Sequence, residues 1–319
     1  MSTPNHTRSH WSVIFGDQYQ SALTSQGVKE QFTQLLSTQQ RMVVDTRLRR
    51  LIAASTFLTG VLMILGVYTA AAGAGLTCAG RWPFCDGYLG LFPANWSSFI
   101  EWFHRFVAMI TGIMILGTTV TAWRRGIERR IQVALAGSTV LLPSQIILGA
   151  LTVTTYEWVI LTAHFLTASF IFTGVVLATV WSQPVGTRYR LFRTGTLAVV
   201  ATPILLLLTP HAFIIFDPTV QSVYYAVGLM VYTALITIAA WAPTVVDDSN
   251  SAWRVRMIAS LAAVITIGLL IIGRQVYAGM LQYLSIGGSL LIFALVIGVT
   301  VILRQNDMQP PSRGVPGGD

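Results

Sequence analysis

The sequence predicts an all-α integral membrane protein whose eight transmembrane helices form two pseudo-repeated four-helix bundles. Three observations carry this reading. Of the 319 residues, 54% are hydrophobic and 10% charged, and the mean hydropathy is +0.65, too apolar for an ordinary soluble domain. Eight stretches are long and apolar enough to cross roughly 30 Å of hydrocarbon at about 20 residues each. They are 51–74, 98–122, 131–153, 158–182, 195–216, 219–242, 253–276 and 279–303, here called spans 1 to 8. Finally, the basic residues cluster in alternate connections.

Residues 1–50 read as a polar cytoplasmic arm without the short apolar core of a signal peptide. Its segment from Gln18 to Gln40 reads either as an amphipathic helix or as disorder. Residues 51–182 are expected to form the N-terminal four-helix bundle with an outer cysteine loop, the active half. Residues 183–304 are expected to form the C-terminal bundle, a degenerate repeat. Residues 305–319, which end in QPPSRGVPGGD, read as a disordered cytoplasmic tail.

The net charge of +8 does not point to nucleic acid, because topology accounts for its distribution. Arg41, Arg47, Arg49 and Arg50 precede span 1; Arg124, Arg125, Arg129 and Arg130 separate spans 2 and 3. Arg188, Arg190 and Arg193 lie between spans 4 and 5, Arg254 and Arg256 precede span 7, and Arg304 follows span 8. These connections share one side of the membrane. The positive-inside rule makes that side, with both termini, cytoplasmic, and the expected location is the cell membrane. Arg81, Arg105 and Arg274 belong to the outer half, where Trp96, Trp102 and Trp158 read as an interfacial belt.

Four helices followed by four more prompt a search for self-similarity. SFIEWFHRFVAMITG in span 2 aligns with PTVQSVYYAVGLMVY in span 6, which places Glu101 over Gln221 and His104 over Tyr224. QIILGALTV at the end of span 3 aligns with LLIIGRQVY, pairing Gly149 with Gly273, and the same offset carries His164 onto Gly288. In this alignment the first half keeps two histidines where the second has Tyr and Gly.

The candidate chemistry concentrates between Gly73 and Arg105, GAGLTCAGRWPFCDGYLGLFPANWSSFIEWFHR, and at His164. His104 in span 2 and His164 in span 4 each lie about 10 Å below the outer surface at 1.5 Å per residue. Because the two spans run in the same direction, the imidazoles share one depth. That arrangement suits axial ligation of a haem held between neighbouring helices. The plainer alternative is that each His packs against a partner helix and hydrogen-bonds a backbone carbonyl.

Glu101 precedes His104 by one helical turn and shares its face. It either faces the site, to transfer protons or stabilise developing positive charge, or pairs with Arg105, and the two roles are compatible. Cys78 and Cys85 either staple the first outer loop as a disulfide or form a reversible dithiol beside the cofactor. A structural zinc site lacks two further ligands nearby in sequence. Gly73, Gly75 and Gly80, with Trp82 and Pro83, suggest a tight loop folded onto the helix ends. Gln145 and Gly149 mark either close helix packing or contact with a flat ligand. Arg274 either pairs with a propionate or snorkels to the interface, and His211 beside Pro210 reads as a helix-end or interfacial residue.

Together GAGLTCAGRWPFCDG, EWFHR, and QIILGALTV followed by His164 resemble the haem A synthase family, membrane proteins that oxidise haem O to haem A for terminal oxidases. The resemblance covers the first four-helix half. It implies that His104 and His164 ligate or position the haem iron, that Glu101 assists the chemistry, and that Cys78 and Cys85 form a redox-active or structural pair. It further implies haem O as substrate, haem O synthase as its supplier and a haem-copper terminal oxidase as the beneficiary. The lipid bilayer is the solvent, self-association is left open, and no nucleic acid is involved. Eight-helix members of the family usually carry another histidine pair in spans 6 and 8, thought to hold a haem b; Tyr224 and Gly288 stand there in this chain. Gly cannot ligate iron, so the resemblance does not extend to a bis-His haem b in the second half.

Haem A synthesis is thus the leading expectation. A non-catalytic haem-binding chaperone or assembly factor for a haem-copper oxidase would need the histidines and tolerate loss of Glu101. A cytochrome-type electron carrier would retain haem b and make no new haem. Transport is disfavoured because no chain of charged residues crosses the bilayer midplane.

Overall fold

The computed structural model describes residues 44–78, 80–155, 157–184, 186–210, 212–274 and 279–307. The expected arm to residue 43, the tail beyond 307 and His211 lie outside the described residues. The described chain is helical, and eight of its helical stretches are long and apolar enough to cross a membrane. Span 1 is Thr46–Ala71, span 2 Trp96–Arg124 and span 4 Trp158–Ser182. Span 5 is Arg188–Leu207, span 6 Pro218–Val245, span 7 Ser249–Ile272 and span 8 Met280–Asp307.

Two spans differ from the sequence reading. Span 3 is two helices, Arg129–Val140 and Leu142–Thr154, because Pro143 stands in the first turn of the second and cannot donate into a continuous ladder. Span 5 stops at Leu207 rather than near 216, ahead of Pro210, and span 6 begins only at Pro218. Asp217 then caps span 6, its carboxylate accepting the Val220 N–H at 2.8 Å with Pro218 at the first helical position.

Within the first half, span 1 packs on spans 2 and 4, and the Arg129–Val140 part of span 3 packs between spans 2 and 4. Within the second half, spans 5, 6, 7 and 8 pack in sequence and span 8 returns to span 5. Each half is therefore a ring of four helices. Span 6 joins the halves by packing on spans 1 and 4, with Tyr232 Oη 2.6 Å from Thr173 Oγ1 of span 4.

Helices in lipid gain little from apolar burial against one another, so small and hydroxyl side chains set the contacts. Thr56 of span 1 lies 2.7 Å from Thr179 Oγ1 and donates to the Val175 carbonyl at 2.8 Å. Ser55 meets Thr118 at 3.2 Å, and Thr119 meets Thr139 at 2.8 Å. At Gly174 the approach of spans 3 and 4 is so close that a Cβ would lie 2.2 Å from Ser138 Oγ. At the arginine-rich end, ion pairs Asp45–Arg125, Glu128–Arg130 and Asp247–Arg188 brace the connections.

Candidate functional site

Span 1 ends where Gly73 takes a left-handed φ of +67°, and a single turn, Ala74–Leu76, folds the chain over the bundle. That turn delivers Thr77 and Cys78 to Glu101 of span 2. Glu101 is 2% exposed, and its Oε2 accepts the Cys78 N–H at 3.0 Å and the Thr77 N–H at 3.1 Å. Its Oε1 pairs with Arg105 one turn below. Arg105 also donates to the carbonyls of Arg81 at 3.0 Å and Phe84 at 2.9 Å. Glu101 and Arg105 therefore clamp both ends of the loop to span 2.

Cys78 and Cys85 are joined as a disulfide, and both are buried. Beyond Cys85 the chain doubles back through paired backbone bonds, Cys85 N–H to Gly90 O at 2.7 Å and Gly87 N–H to Phe92 O at 2.8 Å. Gly87 is required there, since a Cβ would lie 2.6 Å from Phe92 O. Asp86 ties the hairpin to the start of span 2 by accepting from Ser98 Oγ at 2.6 Å and from Ala94 N–H at 3.0 Å. The Ser98 hydroxyl, then the Ala94 amide, hold the Asp86 carboxyl below its ordinary range.

Below this cover lie the two histidines. Neither imidazole makes a hydrogen bond among the described residues, and the Nδ1 atoms of both are buried without a partner. The backbone-carbonyl bonds of the plainer alternative are not found. Each imidazole also faces a glycine. A Cβ at Gly66 of span 1 would lie 2.9 Å from His104 Cε1, and one at Gly149 of span 3 would lie 3.5 Å from His164 Cε1. Two imidazoles lacking hydrogen-bond partners, backed by glycines, fit a flat iron-bearing ring held between spans 2 and 4.

Gln145, one turn before Gly149, donates from Nε2 to the His164 carbonyl at 2.9 Å. Arg274, from the end of span 7, donates to the Leu161 carbonyl and lies 5.4 Å over the Phe165 ring, so the second half places a cation beside His164. Sequence reasoning singled out Gln145, Gly149 and Arg274 but missed Gly66, Asp86 and Ser98. Gly60 and Gly66 both stand inside apolar span 1, and nothing in the sequence singles Gly66 out.

The aligned positions of the second half are filled. The Tyr224 ring is fully buried, and a Cβ at Gly273 would lie 2.8 Å from its Cε1. A Cβ at Gly288 would lie 2.8 Å from Leu269 Cδ2.

Residues 91–214 match the family model for cytochrome oxidase assembly proteins. The match takes in Glu101, His104 and His164 and leaves out Cys78, Cys85 and most of the second half. The chain is 33% identical to a protoheme IX farnesyltransferase of Haloarcula marismortui over 131 residues, 41% of this chain and 28% of that protein. It is 33% identical to a heme A synthase of Bacillus licheniformis over 120 residues, 37% of this chain and 39% of that protein. A heme A synthase of Bacillus pumilus is 34% identical over 109 residues, 33% of this chain and 35% of that protein. The chain thus spans well under half the length of these relatives.

Proposed function

We propose that this chain, whose residues 91–214 match the family model for cytochrome oxidase assembly proteins, works in haem A biosynthesis as a haem A synthase. It would oxidise a methyl group of haem O to a formyl group through hydroxylated intermediates. The observation that carries this reading is the pair of hydrogen-bond-free imidazoles, His104 and His164, backed by Gly66 and Gly149.

On this reading His104 and His164 hold the iron of the substrate, which fixes the porphyrin plane between spans 2 and 4. Glu101 is a positioning residue. Its carboxylate, paired with Arg105, holds the Thr77–Cys78 segment over the site one turn from His104. The Cys78–Cys85 disulfide staples the cover, because both sulfurs are buried and the loop is anchored at Glu101, Arg105 and Asp86. The second bundle serves as a scaffold whose contribution to the site is Arg274. The substrate is supplied by haem O synthase, and the product serves a haem-copper terminal oxidase. The arginine-rich end and both termini face the cytoplasm of a cell-membrane protein.

The test is extraction and mass analysis of haems from membranes of a haem O-producing host, with and without this protein. Appearance of haem A, and its loss in His104→Ala, supports the enzyme. Bound haem O with no oxidised product, despite good expression and a working electron-transfer chain, supports the assembly-factor reading instead.

A further inference from the structure

Gln145 carries an atom that the fold leaves unused. Its Nε2 is committed to the His164 carbonyl at 2.9 Å, and because only the amide nitrogen can donate, this bond fixes the orientation of the amide. Oε1 is then an acceptor, buried and without a donor. A buried acceptor left unpaired is unfavourable, and its persistence calls for a donor that none of the described residues supplies. Gln145 shares a helix face with Gly149, which backs the His164 ring, so the acceptor belongs to the wall of the histidine site.

The second half shows the apolar solution to the same packing problem. The residue aligned with Gln145 is Leu269, and it packs on Gly288, the residue aligned with His164. Where there is no histidine, the wall carries no acceptor.

We propose that Gln145 Oε1 accepts a hydrogen bond from a hydroxyl on a side chain of the porphyrin, so that the site selects a hydroxyalkyl-substituted haem over one without that hydroxyl. This rests on the haem reading above. Haem O carries such a hydroxyl where protohaem has a vinyl group. A site built to pair a substrate hydroxyl discriminates against the analogue lacking it, because its own acceptor is then left buried and unpaired.

The experiment is titration of the purified full-length protein with haem O and with protohaem, following the Soret band, for wild type, Gln145→Met and Gln145→Glu. Wild type is expected to bind haem O more tightly than protohaem, with the hydroxyl contributing roughly five- to tenfold, the effect of one neutral hydrogen bond, in addition to any contribution of the farnesyl chain. In Gln145→Met the preference falls roughly five- to tenfold through weaker haem O binding, and unchanged protohaem affinity shows that the fold and the histidines are intact. Gln145→Glu, which keeps an acceptor, retains the preference. Equal wild-type affinities, or an unchanged preference in Gln145→Met, overturn the inference and leave the haem reading standing. So does an equal weakening of both haems in Gln145→Met, which marks Gln145 as a support for the His164 backbone only. No Soret change with either haem in wild type overturns the haem reading itself.

Discussion

Glu101 Oε2 accepts the backbone N–H of Cys78 at 3.0 Å, which fastens the disulfide loop to span 2 one helical turn from His104. The carboxylate is buried and also takes the Thr77 N–H and the Arg105 guanidinium. Removing it strands two amide donors and a charge. Glu101→Ala is therefore expected to cost about 3–5 kcal/mol of stability and to expose the loop to protease. Glu101→Gln, which keeps an acceptor for the two amides, is expected to preserve the loop while lowering activity. Thermal melting with limited proteolysis, beside the haem assay, checks both variants. A protease-resistant, fully stable Glu101→Ala would remove the clamp from the account.

Gly66 makes the space that His104 occupies. In Gly66→Ala the new Cβ would meet the ring at 2.9 Å and the imidazole would have to shift. Haem occupancy is expected to fall roughly tenfold or more. Stability should not fall with it, because Ala is the better helix former by about 1 kcal/mol. Haem content against melting temperature separates the two effects, and wild-type haem content in Gly66→Ala would contradict the assignment.

One haem per chain is the expected loading. Tyr224 against Gly273, and Leu269 against Gly288, fill the places where a second site would lie. Haem measured against protein in a purified sample tests this, and a ratio near two would place a haem in the second bundle.

Much of this architecture is legible in the sequence. Hydropathy finds all eight spans because each must cover the hydrocarbon with side chains. Counting residues along parallel helices gives the expectation that His104 and His164 share one depth. What hydropathy averages away is backbone continuity: the break before Pro143 and the end of span 5 at Leu207 sit inside apolar runs, although Pro143 itself was a readable signal. The partners of Glu101 were only half legible. Arg105 follows from helical spacing, but the amides of Thr77 and Cys78 come from a loop whose path depends on the left-handed turn at Gly73. Gly66 was silent for the same reason, since its role exists only once spans 1 and 2 are packed.

The measurement that bears most directly on the central claim is the absorption and electron paramagnetic resonance spectrum of the ferric, haem-loaded protein, compared with His104→Ala and His164→Ala. A low-spin signal with two imidazole ligands in the wild type, lost in each single variant, is the predicted result. Retention of the wild-type signal in both variants would show that the iron is held elsewhere and contradict the site.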